Sequence, residues 1–170
     1  MLTKYNCTFF TATILEWNNL LTNERYKDIV IDSLNFLVDA GRAYIHGFVI
    51  MNNHLHLIWH IREPHKPEYV QRDFLRYTAK MILKDLKENS TALLEPFIVN
   101  AKDRKYQIWE RNALSTAIWN EDVLKQKLNY IHQNPIRKNL CVRIEDYKYS
   151  SGEYYTTGKN NYRFLTHYRY

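Results

Sequence analysis

Apolar positions change period along this chain, and each change marks an expected element. Residues 4–15, KYNCTFFTATIL, are dense in aromatic and β-branched side chains and predict a first strand. Thr22 or Asn23 can cap a following helix, with Glu24 in its first turn. Tyr26, Ile29, Val30, Leu34, Leu37 and Val38 then recur at helical spacing until Gly41. From Tyr44 to Ile61, YIHGFVIMNNHLHLIWHI predicts two strands joined at Asn52-Asn53, because asparagine tolerates the positive φ of a tight two-residue turn. Pro64 and Pro67 lead into a second helix over about 68–88, with Val70, Phe74, Met81 and Ile82 on its apolar side.

Residues 89–120 keep no period and predict an irregular connection with short extended pieces; connections of that length are often functional. Asn120, followed by Glu121 and Asp122, caps a third helix that runs to Pro135 and packs through Val123, Leu124, Lys127, Leu128 and Ile131. A residue before proline is pushed away from helical geometry, so Asn134 is expected at or just past the last turn. The tyrosine-dense tail has no clear periodicity. The order of strands and helices predicts an α+β fold of split β-α-β type, an antiparallel sheet with helices packed on one face, as a single domain over residues 1–170.

Composition narrows the function classes. The net charge of +6 and an aromatic content of 15% favour a polyanionic partner with exposed flat faces, such as single-stranded nucleic acid. Four glycines, none in a phosphate-cradling array, argue against ATP or dinucleotide chemistry. Cys7 and Cys141 are too few for a disulfide framework and lack zinc spacing, which suits a reducing compartment. No apolar run approaches the roughly 20 residues of a membrane span, and the first ten residues do not read as a signal segment, so a cytoplasmic protein is expected.

Candidate chemistry centres on His54 and His56. Alternate residues of a strand share a face, so both imidazoles can reach one divalent ion while Leu55, Leu57, Trp59 and Ile61 point into a core. A His-x-His triplet alone also fits an ordinary polar sheet face. An amide or carboxylate from a neighbouring helix would complete a site with open positions. A helix-borne tyrosine could then attack a phosphodiester and form a covalent phosphotyrosine. On the second helix Arg72, Arg76, Lys80 and Lys84 follow at steps of four and form a basic stripe suited to a phosphate track.

IMNNHLHLIWHI and LNYIHQNPIRKNLCVRIEDYKYSS resemble the two signature regions of the single-tyrosine HUH transposases, closest to the REP-associated tyrosine transposases. The resemblance covers most of the chain in order, with Asn52 standing where that family usually has proline. It implies a ferredoxin-like HUH fold and a Mg²⁺- or Mn²⁺-dependent endonuclease that cuts and rejoins single-stranded DNA near hairpins. It further implies that His54 and His56 bind the metal, that Tyr130 is the nucleophile and that Asn134 is the third, amide ligand. Asn134 could instead serve only to end the helix, with His132 and Gln133 as neighbouring alternatives. Nucleoid association follows from DNA as partner, and the family includes both homodimers and monomers. Two other readings fit the same residues: a non-catalytic nucleic-acid-binding module, and a metal-dependent hydrolase of small phosphoesters.

Overall fold

The computed structural model describes residues 7–169. Its four strands are β1 (Cys7–Thr13), β2 (Ala43–Ile50), β3 (His54–Ile61) and β4 (Leu114–Ala117), and they form one antiparallel sheet in the order β2-β3-β1-β4. The helices are α1 (Glu24–Asp39), α2 (Pro67–Asn89), α3 (Glu121–Arg137) and the short α4 (Gly152–Thr157). This succession, with β1 and β3 central, is the ferredoxin-like α+β arrangement. The residues before Cys7 that the sequence assigns to the first strand lie outside the described residues.

Register decides which side chain meets which layer. On β1 and β3, Phe10, Ala12, Leu55, Leu57 and Trp59 face α1 and α2 and join the larger core. α1 starts at Asn23, whose side chain accepts from the Arg25 amide at 3.1 Å, and ends before Gly41 at φ 66°, where a glycine takes the left-handed geometry without steric cost. α2 buries Val70, Phe74, Thr78, Ile82 and Leu86, one per turn.

The expectation of a single helical face holds for α1 and α2 only. α3 lies on the opposite face, where Leu124, Leu128 and Ile131 pack with Phe9, Val49 and Ile58 in a second core. The reason is that Phe9, Val49 and Ile58 alternate with the first face and need cover of their own. Gly47 of β2 lets the helix come close: a Cβ there would meet Leu128 Cδ2 at 2.6 Å and Ile131 Cδ1 at 3.3 Å.

Two local expectations change. α3 does not stop before Pro135 but continues through it to Arg137, so Asn134 is an ordinary helical residue. Asn52 and Asn53 do not adopt positive φ; their carbonyls accept from Leu21 and Ile14 amides at 2.9 and 2.8 Å, and the loop before α1 therefore shapes the turn. The segment after α2 supplies one of the short extended pieces expected of it, β4, pairing Thr8, Phe9, Phe10 and Thr11 with Ala117, Thr116, Ser115 and Leu114. The tail is also ordered, with Phe164, Leu165 and Tyr168 buried and Leu165 bridging Ile45 at the outer side of β2.

Candidate functional site

β3 delivers His54 and His56 to the α3 face, with ring centroids 4.9 Å apart. Both are nearly sealed, at 8% and 5% exposure. Each ring is held through Nδ1. The Nδ1 of His54 lies 2.7 Å from Asn53 Oδ1, which can only accept, so Nδ1 carries the proton and Nε2 keeps its lone pair. The Nδ1 of His56 lies 2.8 Å from the hydroxyl of Thr11, its register partner on β1. His56 Nε2 is buried and has no hydrogen-bond partner among the described residues.

Electrostatics keep both rings neutral. Burial, helped by Lys138, pushes His54 down to about 4. Burial, with His54, Lys127 and Arg137 adding repulsion, pushes His56 down to about 3. At neutral pH the pair therefore presents unprotonated nitrogens, the condition a metal-binding histidine needs.

α3 brings up the second half of the site. Its N-terminus is fixed by Asn120, whose Oδ1 accepts from the Val123 amide at 2.8 Å, and Glu121 and Asp122 suit the first turn. Four residues apart, Tyr130 and Asn134 share a face. The Asn134 Nδ2 donates to His54 Nε2 at 3.2 Å. The Tyr130 ring meets His56 edge-on at 5.5 Å and Phe9 at 6.1 Å, yet the residue remains 43% exposed. Arg137 lies over the same ring at 4.8 Å and donates to the Tyr130 carbonyl at 2.9 Å.

His54, His56, Tyr130 and Asn134 thus come from two elements far apart in sequence and meet at one place. His132 does not join them: its Nε2 lies 2.8 Å from Ser151 Oγ on the far side of the helix. Nor does His60, which packs edge-on to Tyr44. No group of three or more His, Cys, Asp or Glu side chains placed to hold a metal ion occurs among the described residues. The donor set available to a cation is two imidazoles and one amide. An orphaned buried Nε2 beside a second lone pair fits that use, provided the Asn134 amide turns to present its oxygen.

The basic stripe lies elsewhere. Arg72, Arg76, Lys80 and Lys84 project from α2, on the other side of the sheet from the histidines, and line a groove of about 950 Å³ between α2 and residues 104–113. Arg72 pairs with Asp73 at 2.9 Å, whereas Arg76, Lys80 and Lys84 make no ion pair among the described residues. Thr11, Asn53, Phe9 and Arg137 escape the sequence reading. Thr11 and Phe9 could have been found by pairing β1 against β3, whereas Arg137 required knowing that the helix passes Pro135.

No protein-family model matches the chain, and no curated protein matches it. Among solved structures, a REP-associated tyrosine transposase bound to a REP hairpin superposes with a TM-score of 0.65 at 17% identity, over 87% of this chain and 77% of that one. The chain is therefore related in fold to the REP-associated tyrosine transposases, the group its two signature regions resemble.

Proposed function

We propose that this protein is a metal-dependent single-stranded DNA endonuclease and strand transferase acting near hairpins through a covalent phosphotyrosine. The observation that carries this reading is the half-exposed Tyr130 phenol set edge-on to a neutral histidine pair whose inner nitrogen is orphaned. His54, His56 and, after its amide turns over, Asn134 would hold Mg²⁺ or Mn²⁺, which supplies polarisation of a phosphodiester oxygen. Imidazole donors favour Mn²⁺ of the two, since Mg²⁺ prefers oxygen.

The chain's own residues account for the remaining steps. Tyr130 Oη attacks phosphorus in line; the new phenolic ester forms as the bond to the 3′ oxygen breaks. The phenolic proton leaves to water at this accessible position, and the departing oxygen becomes a 3′ hydroxyl. Arg137, held against the Tyr130 backbone, places a positive charge beside the phosphate. Rejoining is the reverse, with a 3′ hydroxyl attacking the phosphotyrosine. Packing of Phe9 on His56 at 5.0 Å and of Thr11 on its Nδ1 keeps the ring aimed throughout.

Hairpin DNA as partner rests on the signature regions and on the solved relative, which is bound to a REP hairpin. No helix among the described residues is long and apolar enough to cross a membrane.

The test is incubation with a labelled hairpin-bearing single strand and Mn²⁺, followed by denaturing electrophoresis. A covalent protein-DNA adduct is expected, lost with chelator and reduced at least about 1,000-fold in Tyr130→Phe, the scale of losing an activated nucleophile. Equal adduct from Tyr130→Phe would overturn the assignment. The groove under the basic stripe supports a second reading, a module that binds nucleic acid without cutting it. That reading expects salt-sensitive affinity indifferent to chelator and no adduct with any hairpin.

A further inference from the structure

Beside the histidine pair, a notch of about 220 Å³ opens between Trp17 and Leu114. It is too small for a drug-sized ligand and large enough for one flat heterocycle. Thr11, which holds His56, forms part of its wall, and the Trp17 ring stands edge-on to His54 at 5.9 Å. Through Thr11 and His56 the notch is linked to Tyr130, whose ring meets His56 edge-on at 5.5 Å.

Trp17 is held there at a cost. Glu16 and Trp17 are consecutive left-handed residues, at φ 53° and 57°, a geometry that non-glycine side chains disfavour. Three bonds enforce it: the Glu16 amide donates to Glu110 Oε1 at 2.6 Å, the Trp17 amide to the Ile14 carbonyl at 2.9 Å, and Asn53 Nδ2 to the Trp17 carbonyl at 3.4 Å. Core burial does not offset the strain, because Trp17 remains 61% exposed and Leu114 68%. A large indole kept open in this way offers a flat face suited to stacking.

The remaining walls specify the occupant. Glu110 and Asn112 bring an acceptor and an amide to the edge of the notch, and Arg111 brings a cation. Residues 110–113 also line the basic groove under α2, so a chain leaving the notch passes over Arg111 onto the stripe of Arg76, Lys80 and Lys84. Flat apolar wall, polar rim and a cationic exit together match a nucleotide with its base inserted and its phosphates trailing outward.

We propose that this notch holds one unpaired base of the DNA strand, stacked on Trp17 next to the phosphate offered to Tyr130, and that Glu110 favours a base bearing an exocyclic amino group. The inference rests on the reading of Tyr130 as a DNA-cleaving nucleophile, and its test separates the two. Tyr130→Phe protein, which binds without cutting, is mixed in Mn²⁺ with hairpin-bearing single strands carrying 2-aminopurine at each unpaired position in turn.

One position is expected to change fluorescence, and an abasic site there to weaken binding about 10- to 100-fold, the range for loss of one stacked base. Adding Trp17→Ala should abolish the signal at that position, whereas Trp17→Phe, which keeps a ring, should retain it. Glu110→Gln, which still accepts from the Glu16 amide, should reduce the preference for adenine or cytosine over thymine. An unchanged fluorescence profile and affinity on adding Trp17→Ala to Tyr130→Phe, with adduct still formed by the unmodified protein, would overturn the notch and leave the nuclease reading standing. Absence of any adduct from the unmodified protein would instead remove the reading beneath it.

Discussion

On the side facing α1 and α2, β1 and β3 present Phe10, Ala12, Leu55, Leu57 and Trp59, all sealed from solvent. On the other side the same strands present Phe9, Thr11, Thr13, His54, His56 and Ile58 under α3. The contrast is one of cover. Four strands span about 15 Å, whereas a helix is only about 10 Å wide. Two helices close the first face; α3, resting on β2 and β3, leaves the strip toward β4 open. Tyr130, the Trp17 notch and the exposed Leu114 all lie at that uncovered margin. Alternate residues of one strand thus divide the larger core from the candidate site, and the division is set by how many helices lie on each side.

Acid should separate the faces most strongly. His54, His56 and His132 are held by burial at about 4, 3 and 4, below the 6.5 of an exposed histidine. Because the folded values are lowered, the unfolded chain takes up protons first as pH falls. The associated stability is complete above about 6.5 and drains away toward pH 3–4, on the order of 1–2 kcal/mol for each histidine by pH 5. Urea midpoints measured from pH 7.5 to 5 should fall steeply, and His56→Leu should flatten the curve. A midpoint indifferent to pH over that range would mean that the rings are not buried neutral.

A smaller effect should follow from moving α3 alone. Gly47→Ala puts a methyl into Leu128 and Ile131, for which overpacking costs about 1–3 kcal/mol. Lifting the helix also draws Tyr130 and Asn134 away from the histidines, so adduct formation should drop further than stability does. Lowered stability with a normal adduct rate would show that helix height leaves the site untouched.

The least perturbing change is on the covered side. Replacing Arg76, Lys80 and Lys84 by Ala, all exposed and without an ion pair among the described residues, should shift stability by no more than about 0.5 kcal/mol per residue. If the groove tracks phosphates, the slope of log affinity against log salt should shrink by about one for each lost cation. An unchanged slope would show that the groove does not track phosphates.

Much of this was legible from residue order, and the failures have physical causes. Helical spacing located α1 and α2, and the two-residue period of HLHLIW placed the histidines on one side and Leu55, Leu57 and Trp59 on the other. The shared face of Tyr130 and Asn134 followed from their four-residue spacing, whereas their roles rest on the resemblance alone. A short extended piece was expected after α2, but its place at Leu114–Ala117 was hidden because all four residues are exposed, so no alternation betrays them. Pro135 misled because tertiary packing holds the helix past it, with Ile131, His132, Asn134 and Pro135 all buried. The positions of Trp17 and Thr11 depend on strand partners and loop contacts distant in sequence, which no local period encodes.

One margin of the sheet is closed by the chain itself. Leu165 bridges Ile45, and the Thr166 amide donates to the Ile45 carbonyl at 2.9 Å, so the tail occupies hydrogen-bonding positions along β2. The opposite margin is the four-residue β4, with serine and threonine at its centre. A sheet this apolar inside therefore offers foreign strands only a short and polar template, which protects it from edge-to-edge aggregation while leaving the open strip free for a ligand.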